Sequence, residues 1–449
     1  MKIVDTQNVF MSNLGFVLFV FVFAGCLPNT KVTNAPHKSK ASSQSGLTEV
    51  AQHANHKKDS AKDEEVIFPL CLTKAGKQSP HCAKLVTPVF DQNGKLLVIW
   101  SSGKRIYVSV SQGNGKAFGE PIELTEKEHE ISSNPENRPL MVSAPNGDLY
   151  AIFTVRGKTK RSGIVYFSRS VDGGKSFSKP HLVSDEESIT SQAFAGLNVD
   201  ATGTITVTWL DSRDRTKAKA TGVRYNGSAI YYMQSHDGGK TFTPNKKIAD
   251  SACQCCRIGV QTVNDRAVLL WRHIFGDNIR DHALVNIDNK GQSGAVRRLS
   301  EDKWHLKGCP HHGPAIDIDR DGRYHVVWFT AGETRKGLFY SASSDQGQTF
   351  STPIGFGDQY QSSHPYVLTA DKRVFVTWKE FNGTATEIKY KYSPDNGNNW
   401  SSPTSIVSSS SESGHPLLLH DDKWVYLSWR TSTEGYRLFK IAGHEGKGI

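Results

Sequence analysis

Eight residues in the second half of the chain have the types and spacing of a metal centre. Cys253, Cys255 and Cys256 share one Cys-Gln-Cys-Cys run, and Cys309 is followed by Pro310, His311 and His312. His364 and His415 each stand directly before a proline. Thiolate and imidazole donors together suit Cu(I) or Zn(II), although Cys-x-Cys-Cys is not a standard zinc spacing. Oxidation is the competing chemistry. In an oxidising compartment four cysteines make two disulfides, one of them stapling the 253–256 run to Cys309. The sequence leaves both outcomes open.

A second set of residues suits an anion. Arg138, Arg213, Arg257, Arg272 and Arg430 each sit near the start or end of an apolar run, and the guanidinium fork matches planar carboxylates and sulfates. The same arginines are equally able to pair with Asp211, Glu333 and Glu380 as structural ion pairs. Trp304, close to Cys309, is either a platform for a sugar face or packing beneath a loop.

What must position these side chains is a repeat. Short apolar runs end in an aromatic at Trp100, Phe153, Trp209, Trp271, Trp328, Trp378 and Trp429, spaced 50 to 62 residues apart. Units of this length with four short strands each predict an all-β fold, a β-propeller of seven blades with six as the alternative. Blade starts fall near Thr87, Arg138, Phe194, Cys253, Cys309, His364 and His415. In a closed ring the residues before strand one and after strand two of every blade gather on one side of the axis. The run 66–70 is the candidate for the strand that completes the last blade and closes the ring through both termini.

A second repeat lies between strands three and four. SRSVDGGKSF (168–177), MQSHDGGKTF (233–242), SASSDQGQTF (341–350) and KYSPDNGNNW (391–400) all read Ser-x-Asp-x-Gly-x-x-aromatic. An Asp that bonds turn amides, a Gly at positive φ and an aromatic that packs the turn make a hairpin. A fifth copy, SVSQGNGKAF (109–118), has Gly113 in place of the Asp. These turns resemble the Asp-box (BNR) repeats of the sialidase superfamily.

The resemblance implies an anionic, sialoside-like glycan as ligand. Were it an exo-α-sialidase-like hydrolase, Asp211 would be the acid/base, Tyr366 and Glu380 the nucleophile pair, and Arg138, Arg272 and Arg430 the carboxylate clamp. Three functions therefore compete: glycan hydrolysis, glycan binding without catalysis, and metal binding by the Cys/His cluster.

Composition narrows the setting. Of 449 residues 37% are hydrophobic and 22% charged, and 39 Gly with 18 Pro favour a turn-rich β protein. The longest apolar stretch, 14–24, is about half the roughly 20 residues of a membrane-spanning helix. It ends in Phe-Ala-Gly before Cys26, which resembles a bacterial lipobox, so 1–25 reads as a lipoprotein signal peptide and Cys26 as the lipid attachment site. The polar stretch 26–65 reads as a tether and 66–449 as the propeller, held to a membrane by lipid and facing the periplasm or cell surface. Cys71 and Cys82 are expected to form a local bridge. The net charge of +10 lies mainly on the body. No basic block interleaved with aromatics points to nucleic acid.

Overall fold

The computed structural model describes residues 79–113, 115–158, 162–185 and 191–443. The segments read as signal peptide (1–25), tether (26–65) and closing strand (66–70), with Cys26 and Cys71, lie outside them. Cys82 is disulfide-bonded, to a partner also outside them.

Seven antiparallel sheets follow one another along the chain. They span 85–123, 140–182, 192–252, 259–298, 315–356, 362–409 and 417–443, here blades one to seven. The expectation of seven blades rather than six is met. Blade seven has three strands among the described residues.

The seven aromatics explain the periodicity. All six tryptophans at these positions are at most 1% exposed, and Phe153 is 3% exposed. Each lies in the second strand of its sheet, where the repeat needs a large apolar body facing the preceding blade. The core is accordingly a set of seams rather than one centre. Apolar clusters join blades one and two, two and three, three and four, four and five, five and six, and six and seven. A seventh cluster, Ala83, Val86, Val98, Trp100 and Tyr436, joins blade seven to blade one and closes the ring.

The Ser-x-Asp-x-Gly turns abut these seams. In the copy at 233–242, Asp237 Oδ1 accepts N–H bonds from Lys240 and Thr241 at 3.0 and 2.9 Å, and Ser235 Oγ accepts from Gly239 at 2.9 Å. Gly239 has φ +76°, and a Cβ there would lie 2.7 Å from the Phe167 ring of the preceding blade. Glycine is thus required twice, for its backbone angle and for the close approach. The degenerate fifth copy keeps the second requirement, since Gly115 (φ +88°) abuts Leu438 of blade seven.

Candidate metal centre at the axial mouth

The segments that enter strand one of the successive blades do converge. Glu136 and Arg138 from blade two, Arg257 from blade four, His364 and Tyr366 from blade six, and His415 from blade seven all line one cavity of about 660 Å³ along the axis.

The cysteine run turns tightly just ahead of the cavity-lining Arg257. Cys253 N–H donates to the Arg272 carbonyl at 2.9 Å, and Gln254 Nε2 donates to the Gly227 carbonyl at 3.0 Å, which pins the start of the turn to two neighbouring segments. Cys253, Cys255 and Cys256 are all buried, with Phe194 packed against them. Their sulfurs lie 3.4 Å (Cys253–Cys256) and 3.8 Å (Cys253–Cys255) apart. A disulfide needs about 2.05 Å, whereas two thiolates sharing one ion at about 2.3 Å stand roughly 3.8 Å apart. Cys255 Sγ also lies within 4.8 Å of Cys309 Sγ and of a His311 ring nitrogen, so it belongs to two donor trios. Cys309 and His311 are exposed.

The expected pair of disulfides is not present: Cys253, Cys255, Cys256 and Cys309 are all free. The turn presents three sulfurs to a common point instead of aiming any two at bonding distance. Hydrogen bonds from the Cys255 and Cys256 thiols outweigh burial and hold Cys253 well below the usual thiol range, and the nearby Arg272 and Arg280 act in the same direction. The Cys253 hydrogen bond pushes Cys255 up, and burial pushes Cys256 up. Metal binding to such a trio displaces the protons that the sulfurs share.

Beside this lies a stack of imidazoles. His312 and His364 rings are 4.2 Å apart and His364 and His415 rings 3.6 Å apart. Desolvation keeps them neutral, taking His312 down to about 4 and His415 to about 3, and His364 well below its ordinary value. His364 and Phe194 occupy matching β-bulges in the first strands of blades six and three, at φ 52° and 54°, and His311 has φ 53°. Left-handed backbone at a residue with a Cβ costs about 1–2 kcal/mol, and such strain gathers where a side chain must be aimed.

Glu136 had no counterpart among the sequence candidates. Its loop is folded by Asn134, whose Oδ1 accepts the N–H groups of Glu136 and Asn137 at 2.8 and 3.0 Å. The buried carboxylate accepts Arg257 Nη1 at 2.5 Å, Arg257 N–H at 3.0 Å and Gly313 N–H at 2.7 Å. His415 Nδ1 lies 3.3 Å from Oε1. Burial opposes the charged form, but Arg257, His415 and the backbone donors outweigh it and hold Glu136 well below the usual carboxylate range. Arg257 continues to the Pro365 carbonyl at 3.0 Å. One ion pair thereby ties together the entries of blades two, four, five, six and seven.

The proposed hydrolytic set is not brought together. Asp211 is fully buried, accepting Trp209 Nε1 at 2.9 Å and Arg213 Nη2 at 2.9 Å. Glu380 accepts Trp378 Nε1 at 3.0 Å and is paired with Lys389. Asp302 does the same with Trp328 Nε1 at 2.8 Å and Arg335 at 2.8 Å. An acid that satisfies the blade tryptophan and is itself neutralised by a cation is therefore a repeated structural device. Only Tyr366 of the three lines the cavity.

Nor do the three clamp arginines meet: Arg138 and Arg430 share a small pocket between blades seven and one, and Arg272 is held elsewhere. The buried Arg272 guanidinium donates to the carbonyls of Arg280, His312 and Phe329 at 2.6, 2.9 and 2.6 Å. Trp304 lies flat against it, 4.7 Å from ring centre to guanidinium carbon, and edge-on to Phe329, so this ring packs beneath a loop. Arg430 donates to the Ala83 carbonyl at 3.0 Å, tying blade seven to the segment before blade one. Arg138 and Arg257 remain as the cationic lining of the cavity.

No family model matches the chain, and no curated protein matches it. Solved structures do. A polysaccharide lyase of family PL25, an ulvan lyase, is 11% identical with a TM-score of 0.52 over 79% of this chain and 92% of its own. The same type of lyase bound to -[GlcA(1-4)Rha3S]- gives 11% and 0.51 over 82% and 94%. The intramolecular trans-sialidase from Ruminococcus gnavus is 12% identical over 68% and 94%, with a TM-score of 0.46. The class that fold and site define is a seven-bladed propeller with a thiol- and imidazole-rich axial mouth, and its solved structural neighbours include carbohydrate-processing enzymes.

Proposed function

We propose that this chain is a metal-binding propeller, holding a soft ion, Cu(I) or Zn(II), on Cys253, Cys255, Cys256, Cys309 and His311. The observation that carries the reading is the convergence of three buried sulfurs from one turn with an exposed Cys/His pair from the next blade, Cys255 being common to both. Thiolate with imidazole selects such ions over hard ones. Protein purified anaerobically without an affinity tag and supplied with Cu(I) or Zn(II) is expected to retain about one equivalent per chain, and Cys253→Ser or Cys256→Ser to lose it. Elemental analysis of the wild type below about 0.1 equivalent after such loading would end this reading.

A second reading rests on the cavity itself. A volume of about 660 Å³ lined by Arg138, Arg257, Asn198 and Gln261 suits a small anionic carbohydrate. Titration calorimetry with uronates and sialosides is expected to give heat that Arg138→Ala abolishes, and a silent panel removes the ligand. Hydrolysis is not part of this reading, because Asp211 and Glu380 are occupied elsewhere.

Compartment belongs to the same proposal. Export and lipid attachment at Cys26 would hold the mouth outside the cytoplasm, in the periplasm or at the cell surface. Metabolic labelling with a fatty acid is expected to mark the wild type and not Cys26→Ser; equal labelling of both rejects the anchor.

A further inference from the structure

We infer that the mouth carries a second, harder metal site, distinct from the cysteine turn, in which His364 Nδ1, His415 Nδ1 and Glu136 Oε1 bind a borderline divalent ion such as Zn(II) or Cu(II). One donor atom from each of the three residues lies within 4.8 Å of the other two. The buried His364 Nδ1 has no hydrogen-bond partner, which is costly for a lone pair unless something occupies the space before it, and the buried His415 Nδ1 faces the Glu136 carboxylate. His415 Nδ1 approaches Glu136 Oε1 to 3.3 Å. That is the edge of a tetrahedron of donors about 2.0 Å from a central ion, roughly 3.3 Å.

Three features prepare the donors. His364 is turned to the axis by a strained bulge. Its ring is sandwiched between His312 and His415, so neither neighbour leaves it freedom to rotate away. Glu136 is already fixed by Arg257 and by two backbone N–H groups, leaving one lone pair of Oε1 on the His415 side. Nitrogen and carboxylate donors favour borderline and harder divalent ions, while the neighbouring thiolates favour Cu(I). The mouth thus offers one element two environments suited to different oxidation states, or two elements one environment each.

Cobalt(II) separates the sites, because thiolate ligation produces an intense near-ultraviolet charge-transfer band that nitrogen and oxygen ligation does not. Wild-type protein titrated anaerobically with Co(II) should take up two equivalents. The variant Cys253→Ser/Cys255→Ser/Cys256→Ser should lose the band and keep one equivalent with visible d–d absorption. His364→Ala and His415→Ala should keep the band and bind the second ion more than about 100-fold more weakly. His364→Gln, which retains most of the side-chain volume, is measured beside them with a thermal melt, so that loss of the ion is separated from loss of the stack. Wild-type stoichiometry and affinity in the His364 and His415 variants would overturn the site, as would a folded triple cysteine variant that binds no cobalt. Should the charge-transfer band be absent from the wild type while one equivalent still depends on His364, the cysteine reading fails and this one stands.

Discussion

Glu136→Ala is expected to lower the stability of the folded propeller by about 3–5 kcal/mol, because it removes one partner of a buried, hydrogen-bonded ion pair and leaves the other uncompensated. The substitution strips three donors of their acceptor at once: Arg257 Nη1, Arg257 N–H and Gly313 N–H. Arg257 would retain the Pro365 carbonyl as its side-chain partner. Unlike a surface pair, this one sits where five blade entries meet, so no single loop can relax to repair it. Urea denaturation of the metal-free protein measures the loss. Glu136→Gln, which keeps an acceptor oxygen and most of the volume, is expected to lose less than alanine does. A loss under about 1 kcal/mol for alanine would mean that the ring holds its mouth without the clamp, and the central role given to Glu136 would go with it.

Acid is expected to destabilise the metal-free protein from about pH 6.5 downward, well above the range in which carboxylates titrate. The sign follows from the buried imidazoles. Desolvation takes His273 and His312 to about 4 and His415 to about 3, and sets His282 and His364 well below their ordinary value. In the unfolded chain each returns to about 6.5. Between these values the unfolded state binds more protons than the folded one, so stability is fully present above about pH 6.5 and is lost as pH falls toward 4 and 3. At pH 5 each such group contributes a loss of about 1–2 kcal/mol. The denaturation midpoint should fall steeply between pH 7 and 5, and bound Zn(II) should steepen the fall, since protons and metal compete for the same nitrogens. A midpoint flat across that interval would show that the histidines are solvated or already charged.

The fold was legible in the sequence because its two repeats report two separate physical needs. The strand-two aromatics mark where every blade must bury a large ring against its neighbour, and Trp100 to Trp429 all do so. Ser-x-Asp-x-Gly marks turns that need both a positive φ and room for the previous blade, as at Gly239. Convergence of His364, His415, Arg138 and Arg257 followed from ring closure alone. The pairing partners did not. Asp211 and Glu380 have the residue types of an acid and a nucleophile's helper, and nothing in their spacing reveals that Trp209 and Trp378 engage them. Whether four cysteines oxidise or stay free depends on where a tight turn aims its sulfurs, which composition cannot report. Glu136 went unseen because a lone carboxylate in Asn-Pro-Glu-Asn-Arg-Pro has no periodicity; its one signal was its place two residues ahead of Arg138 at a blade entrance.

The seam between the first and last blades sets the order of events during synthesis. Ala83, Val86, Val98 and Trp100 wait for Tyr436, and Gly115 waits for Leu438. His415 likewise reaches Glu136 only after nearly the whole chain has left the ribosome. Contacts so distant along the chain form late, whereas the cysteine turn is held by Phe194, Gly227 and Arg272 of blades three and four, without help from that seam. The thiol-bearing turn is therefore expected to take shape before the last blade docks, with the His415–Glu136 contact added to it at the end.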